Sequence, residues 1–207
     1  MTLGERSIRD QVVAARKSLT PSQIEQRSEQ AVHRFLGEIK VLGSLKNRRI
    51  ALYRAMPSEL SLKFLESFFL KSGAKLHYPR VKNPNEKALE LVEVADPDTA
   101  IWHSGFYGIQ EPPPGLEPID PSTLDIVWVP GVAFGISGER IGMGAGYYDR
   151  LLSKCPQAVR VSLAFDFQLF EKLNQESWDQ PVDWILTEKR DINRLGKRPG
   201  IRGFHTS

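Results

Sequence analysis

Between positions 138 and 152 the chain reads GERIGMGAGYYDRLL, with glycine at 142, 144 and 146. Glycines let backbone N–H groups approach an anion closely and adopt positive φ. If a helix starts at Tyr147, its free N–H groups and dipole favour negative charge at this point. Arg140 brings a planar fork that matches phosphate oxygens. Asp149 would sit in the first helical turn, where a carboxylate can hold Mg²⁺ together with phosphate. A dinucleotide fingerprint counted from Gly142 needs glycine at 147, where Tyr147 stands; a Walker A loop needs lysine after Gly146. Two readings stay open on spacing alone: a phosphate loop, or a flexible strand-to-helix turn that binds nothing. Cys155 is the only cysteine, which excludes an intrachain disulfide and a multi-cysteine metal site, and His33, His77, His103 and His205 show no metal-ligand spacing.

Something must carry this loop. The run TLDIVWVP before it is continuously apolar, as a strand buried on both faces of a parallel sheet requires. Ligands of such sheets bind beyond the C-terminal strand ends, and the glycine stretch should lie just there. Upstream, the pattern predicts a helix over 7–19, with Ile8, Val12, Ala15 and Leu19 on one stripe. Thr20-Pro21 reads as N-cap and first turn of a second helix reaching Ile39, with Gln23 completing a capping box. RRIALYRAM reads as a strand, and LSLKFLESFFLKSG as a helix closed by Gly73. AKLHYPRV, ended by Pro79, and ALELVEV read as strands; AVRVSLAF and VDWILT follow later. The irregular stretch 95–123 keeps Trp102, Phe106 and Tyr107, more aromatics than a disordered linker holds, so an ordered loop is expected. Strands alternating with helices predict an α/β domain over 1–188: three layers, with a largely parallel sheet and helices on both faces. Residues 189–207 are basic and poor in apolar side chains, and read as a flexible tail.

The 207 residues are 41% hydrophobic and 26% charged, with net charge +3, ordinary for a globular protein and mildly favourable to an anionic ligand. Basic residues are not interleaved with aromatics on a strand face, so a nucleic-acid-binding module is the weaker reading. The opening MTLGERSIRDQVVAARKSL mixes acids with bases and has no apolar core of signal-peptide length, and no run is long enough to span a membrane. A cytoplasmic protein, monomeric or weakly dimeric, is expected.

The longer segment VPGVAFGISGERIGMGAGYYDRLL resembles the signature of 5-formyltetrahydrofolate cyclo-ligases, also called methenyltetrahydrofolate synthetases. IALYRAMPSEL, LHYPRV, YGIQEP and WDQPVDWILTE resemble further family segments in the same order, to about Glu188. The resemblance implies a fold similar to that of sugar-phosphate isomerases and CoA transferases. It also implies an enzyme that turns 5-formyltetrahydrofolate and ATP, with Mg²⁺, into 5,10-methenyltetrahydrofolate, ADP and phosphate through an N5-iminium phosphate. By resemblance, Arg6, Arg9 and the run Arg140, Ile141, Gly142, Met143, Gly144, Ala145, Gly146, Tyr147 and Tyr148 bind ATP. Arg9, Arg54, Glu59, Tyr107, Met143, Gly144, Ala145, Gly146 and Tyr147 face the folate. Glu59 and Tyr147 are the implied catalytic pair, and Asp149 with Asp179 the implied Mg²⁺ ligands. Read without the family pattern, Arg9 and Glu59 are surface charges and Asp179 is a turn residue. Three positions depart from the pattern: Glu5 and Ala145 replace common lysines, and Gly135 replaces aspartate. The lost cations leave open a same-fold relative with another phosphorylated or pterin ligand.

Overall fold

The computed structural model describes residues 3–105 and 108–201. The chain opens with two helices, α1 (Leu3–Lys17) and α2 (Pro21–Glu38), then β1 (Arg49–Ala51) and α3 (Lys63–Lys71). A long hairpin follows, β2 (Lys75–Asn83) with β3 (Ala88–Glu93), then three two-residue strands, β4 (His103–Ser104), β5 (Gln110–Glu111) and β6 (Pro118–Ile119). Next come β7 (Ile126–Trp128), β8 (Ala133–Gly135), β9 (Arg140–Ile141) and α4 (Tyr147–Lys154). The chain closes with β10 (Val159–Leu163), β11 (Leu169–Phe170), β12 (Trp184–Leu186) and β13 (Asp191–Asn193).

Local chemistry sets several of these boundaries. At α2, Gln23 N donates to Thr20 Oγ1 at 3.3 Å, and Thr20 N donates to Gln23 Oε1 at 2.9 Å: the predicted capping box. Gly73, just past the end of α3, has φ +77°, which glycine adopts without strain. Pro79 does not end β2, contrary to the expectation; it pairs with Leu91 of β3. Backbone groups of odd residues in this strand point toward β1, as His77 O does in accepting from Leu52 N. β1 has already stopped opposite His77, so the N–H that proline lacks has no partner to lose.

Among the described residues, eight strands form the main sheet in the order β13-β12-β10-β7-β1-β2-β3-β6. The five from β12 to β2 run parallel, and antiparallel strands close both edges. Side chains alternate between two cores. On one face Ile50, Trp128, Val161 and Trp184 meet Phe35 of α2 and Phe69 of α3, with the Phe35 ring 5.0 Å from Trp128 and 5.4 Å from Trp184. On the other, Ala51, Val127, Val129 and Ile185 meet Leu151 and Leu152 of α4. The expected three layers are present. No described helix is long and apolar enough to cross a membrane.

Two expectations change. The glycine stretch does not follow β7 directly: a hairpin, β8–β9, intervenes and joins β11 in a separate three-stranded sheet. The segment after Glu188 is not a frayed tail as far as it is described. Residues 191–193 add the antiparallel edge strand β13, and Arg198 pairs with the buried Asp183 at 2.7 Å. A basic, apolar-poor composition hid these contacts because backbone pairing, a buried carboxylate and three scattered apolar side chains, Ile192, Leu195 and Ile201, hold the segment without a periodic stripe.

Candidate active site

The β8–β9 hairpin presents Arg140, and residues 142–146 turn from it into α4. Gly144 and Gly146 have φ of +91° and +73°, so glycine is required at both by backbone shape alone. Arg140 is buried; its Nη2 donates to Asp149 Oδ1 at 2.6 Å and its Nη1 to Pro130 O at 3.3 Å. Arg9 approaches from α1, its Nε donating to Gly142 O at 2.7 Å. A Cβ on Gly142 would lie 2.8 Å from Arg140 Nη1, so both guanidinium groups crowd this one residue. Two of their buried N–H donors, Arg9 Nη1 and Arg140 Nε, have no partner among the described residues. Buried cationic donors without acceptors are costly, and an anion seated on the loop would satisfy them.

A second group lies where the chain leaves β1. Glu59 accepts from Met56 N at 3.0 Å through Oε2 and pairs through Oε1 with Arg16 Nη2 at 2.9 Å. Arg16 is 3% exposed and also donates to Ser58 O at 2.9 Å and Ser58 Oγ at 3.2 Å. The carboxylate is therefore fixed, not a loose surface charge. A cleft of about 350 Å³ opens beside it, lined by Ile24, Ser28, Met56, Lys63 and Phe64 as well as Glu59. That volume suits a small organic ligand.

Two tyrosines join the groups. Burial pushes the Tyr148 hydroxyl above its ordinary range; Glu59 adds to this and Arg140 opposes it. Burial does the same to Tyr53, reinforced by Glu59 and Tyr148. Tyr148 thus lies within electrostatic reach of both sides. Helix α1 spans them as well: Arg9 grips the glycine loop and Arg16 grips Glu59. The two lie two turns apart on one stripe, about 10 Å along the axis.

The other predicted residues fall variously. Ile141 packs into a small core with Ala133 and Leu173, so its contribution to the loop is backbone. Tyr147 is half-buried at the start of α4, Arg6 and Met143 are exposed, and Ala145 O accepts from Arg150 Nη1 at 3.3 Å. Arg54 is committed elsewhere. Its Nη1 pairs with Glu66 at 3.0 Å, its Nη2 donates to Pro97 O at 2.8 Å, and its guanidinium stacks 3.9 Å from the Trp102 ring centre. It pins the 95–102 loop. Asp179 Oδ2 accepts from Glu176 N at 2.8 Å, closing its own turn; the next residue, Gln180, donates its N–H to Asp149 Oδ1 at 3.3 Å. Tyr107 lies outside the described residues. At Gly135 the Glu139 carboxylate occupies the space a Cβ would take, so a larger residue there requires that side chain to turn aside.

No cluster of three metal-ligating side chains occurs among the described residues. Asp149 Oδ1 is occupied, while Oδ2 has no partner there. One free carboxylate oxygen beside an anion loop fits Mg²⁺, which takes few protein ligands and keeps phosphate oxygens and water.

Sequence reasoning missed Arg16 and Tyr53. The signal for Arg16 was its spacing from Arg9, two turns on along the inward stripe. Tyr53 carries no local signal that separates it from core.

Similarity to known proteins extends over most of the chain. The sequence model of the 5-formyltetrahydrofolate cyclo-ligase family matches residues 2–188. The chain is 32% identical over 188 residues to a 5-formyltetrahydrofolate cyclo-ligase of Haemophilus influenzae, covering 89% of this chain and 98% of the relative. It is 30% identical over 178 residues to that of Escherichia coli K12, covering 84% and 95%. The solution structure of Aquifex aeolicus 5,10-methenyltetrahydrofolate synthetase superposes with a TM-score of 0.76 at 30% identity, covering 98% of this chain and 99% of the other. A Mycoplasma pneumoniae 5,10-methenyltetrahydrofolate synthetase shares the fold, with a TM-score of 0.71 at 19% identity and coverage of 89% and 98%.

Proposed function

Because the chain belongs to the 5-formyltetrahydrofolate cyclo-ligase family, we propose that it closes 5-formyltetrahydrofolate to 5,10-methenyltetrahydrofolate at the expense of ATP. The observation that carries this reading is the pair of guanidinium donors at Gly142 that have no partner among the described residues, tied by helix α1 to a fixed carboxylate and its cleft about 10 Å along the helix.

The chemistry asks for two adjacent sites. A formamide carbon is a poor electrophile and its oxygen a poor leaving group. The formyl oxygen attacks the γ-phosphorus of ATP, ADP departs, and an N5-iminium phosphate forms. N10 then adds to the activated carbon and gives up its proton to solvent, and phosphate leaves with the former formyl oxygen as the ring closes. The protein positions the reactants and neutralises charge. Arg140, Arg9 and the amides of 142–146 hold the phosphates. Glu59, fixed by Arg16, accepts hydrogen bonds from the pterin ring. Tyr147 and Tyr148 wall the junction, and burial keeps the Tyr148 hydroxyl protonated. Asp149 would hold Mg²⁺, which supplies charge neutralisation on the phosphates. Asp179, whose Oδ2 closes its own turn and whose neighbour Gln180 bonds Asp149, would offer its other carboxylate oxygen as the second ligand.

Purified protein mixed with 5-formyltetrahydrofolate and magnesium ATP should produce the near-ultraviolet absorbance of methenyltetrahydrofolate. An absorbance that does not depend on ATP would refute the reading.

A further inference from the structure

The segment beyond Glu188 lies outside the stretch matched by the family model, yet its contacts converge on the hairpin that carries Arg140. Asp183 is the anchor. Its carboxylate is 3% exposed, and Arg198 grips it with a two-pronged fork, Nε to Oδ1 at 2.8 Å and Nη2 to Oδ2 at 2.7 Å. Arg160 N also donates to Oδ2, at 2.9 Å. Forked contacts of this kind fix orientation as well as distance. The chain around Asp183 then reaches the site in two places. Val182 N donates to Gly138 O at 2.9 Å at the hairpin tip, and Gln180 N donates to Asp149. From the strap itself, Arg194 N donates to Asp183 O at 2.7 Å, while its guanidinium donates to Ser137 O. Gly138 has φ +91°, and a Cβ there would strike both the Arg194 guanidinium and the Val182 carbonyl. The hairpin tip is thus enclosed by the strap and the Asp183 segment, two residues before Arg140.

We infer that residues 191–198 form a strap that positions the nucleotide side of the site, with Arg198 fastening it to Asp183 and Arg194 holding the hairpin tip. Arg194 is a positioning residue: it acts on Arg140 and the glycine loop through the hairpin. The kinetic consequence rests on the function proposed above; the structural one does not.

The test uses the full chain and three variants: Arg194→Ala, Arg194→Lys, and Lys197→Ala, the last removing an exposed strap cation whose side chain has no bond among the described residues. Arg194→Ala should raise the KM for magnesium ATP about fivefold while the KM for 5-formyltetrahydrofolate stays within about twofold. Its melting temperature should fall by no more than about 3 °C. Arg194→Lys, which keeps one donor, should recover part of the loss, and Lys197→Ala should match the parent. Hydrogen exchange of the Gly135 and Gly138 amides, both bonded within the hairpin, should quicken in Arg194→Ala and stay unchanged in Lys197→Ala. Unchanged exchange in Arg194→Ala would overturn the strap whatever the activity. Faster exchange with an unchanged nucleotide KM would overturn its role in the site. A parent chain with no ATP-dependent turnover would refute the proposed function, and the exchange data would still decide whether the strap holds the hairpin.

Discussion

The Glu59 side and the glycine side of the site are held in opposite ways. Glu59 is locked by a side chain, the buried guanidinium of Arg16, and by one backbone N–H. The loop at 142–146 is shaped mainly by its own backbone, with left-handed glycines, while Arg9 holds Gly142 O and Arg150 holds the carbonyls of Ala145 and Gly146. A buried ion pair makes a rigid, orientation-specific acceptor, which suits a flat ring with N–H donors. Bare amides make a conforming surface for a polyanion. The same helix, α1, reaches both. The lesson is that damage should propagate differently: on the Glu59 side through stability, on the glycine side through nucleotide affinity with the fold intact.

The largest effect should come from Arg140→Ala, which removes one of the two guanidinium groups at Gly142 and leaves Asp149 without its buried partner. Turnover should fall about 10²–10³-fold, read as kcat under saturating folate. Next, Glu59→Gln keeps the contact to Met56 N but strands the Arg16 charge. The KM for 5-formyltetrahydrofolate should rise about 10- to 100-fold, with the KM for ATP unchanged. Arg16→Met tests the coupling to stability. Removing one partner of a buried pair should cost about 3 kcal/mol in denaturant unfolding, with a rise in folate KM and none in nucleotide KM. The smallest expected effect is Gly144→Ala. Its φ of +91° imposes strain of about 1–2 kcal/mol on an L-residue, enough to raise the nucleotide KM about tenfold while the thermal midpoint falls by no more than about 8 °C. If Arg16→Met and Gly144→Ala gave the same pattern of stability and KM, the contrast between the two sides would be void.

Much of this was legible in the sequence, for identifiable reasons. The loop at 142–146 shows itself because only glycine supplies three bare amides in alternation, and the capping box at Thr20 because its geometry is local. Arg16 was legible only as a spacing from Arg9: an arginine on an amphipathic helix looks like a solvated charge until its partner, 43 positions on at Glu59, folds against it. Arg54, folate-facing by resemblance, shows the same limit: its pairing with Glu66 and its stacking on Trp102 are long-range contacts that the string does not display. The strap escaped because its fasteners are arginines paired with a distant buried aspartate and with backbone carbonyls, none of which leaves a periodic pattern. Chemistry carried by local backbone can be read from a string; chemistry carried by long-range pairing of charges cannot.

The claim beneath all of this is that the glycine loop delivers the γ-phosphate to the formyl oxygen of a folate held at Glu59. Oxygen-18 placed in the formyl group of 5-formyltetrahydrofolate follows that contact atom by atom. After one turnover with ATP, the account predicts the label in the released inorganic phosphate. Label appearing in water, with unlabelled phosphate, would mean the two substrates never met as described.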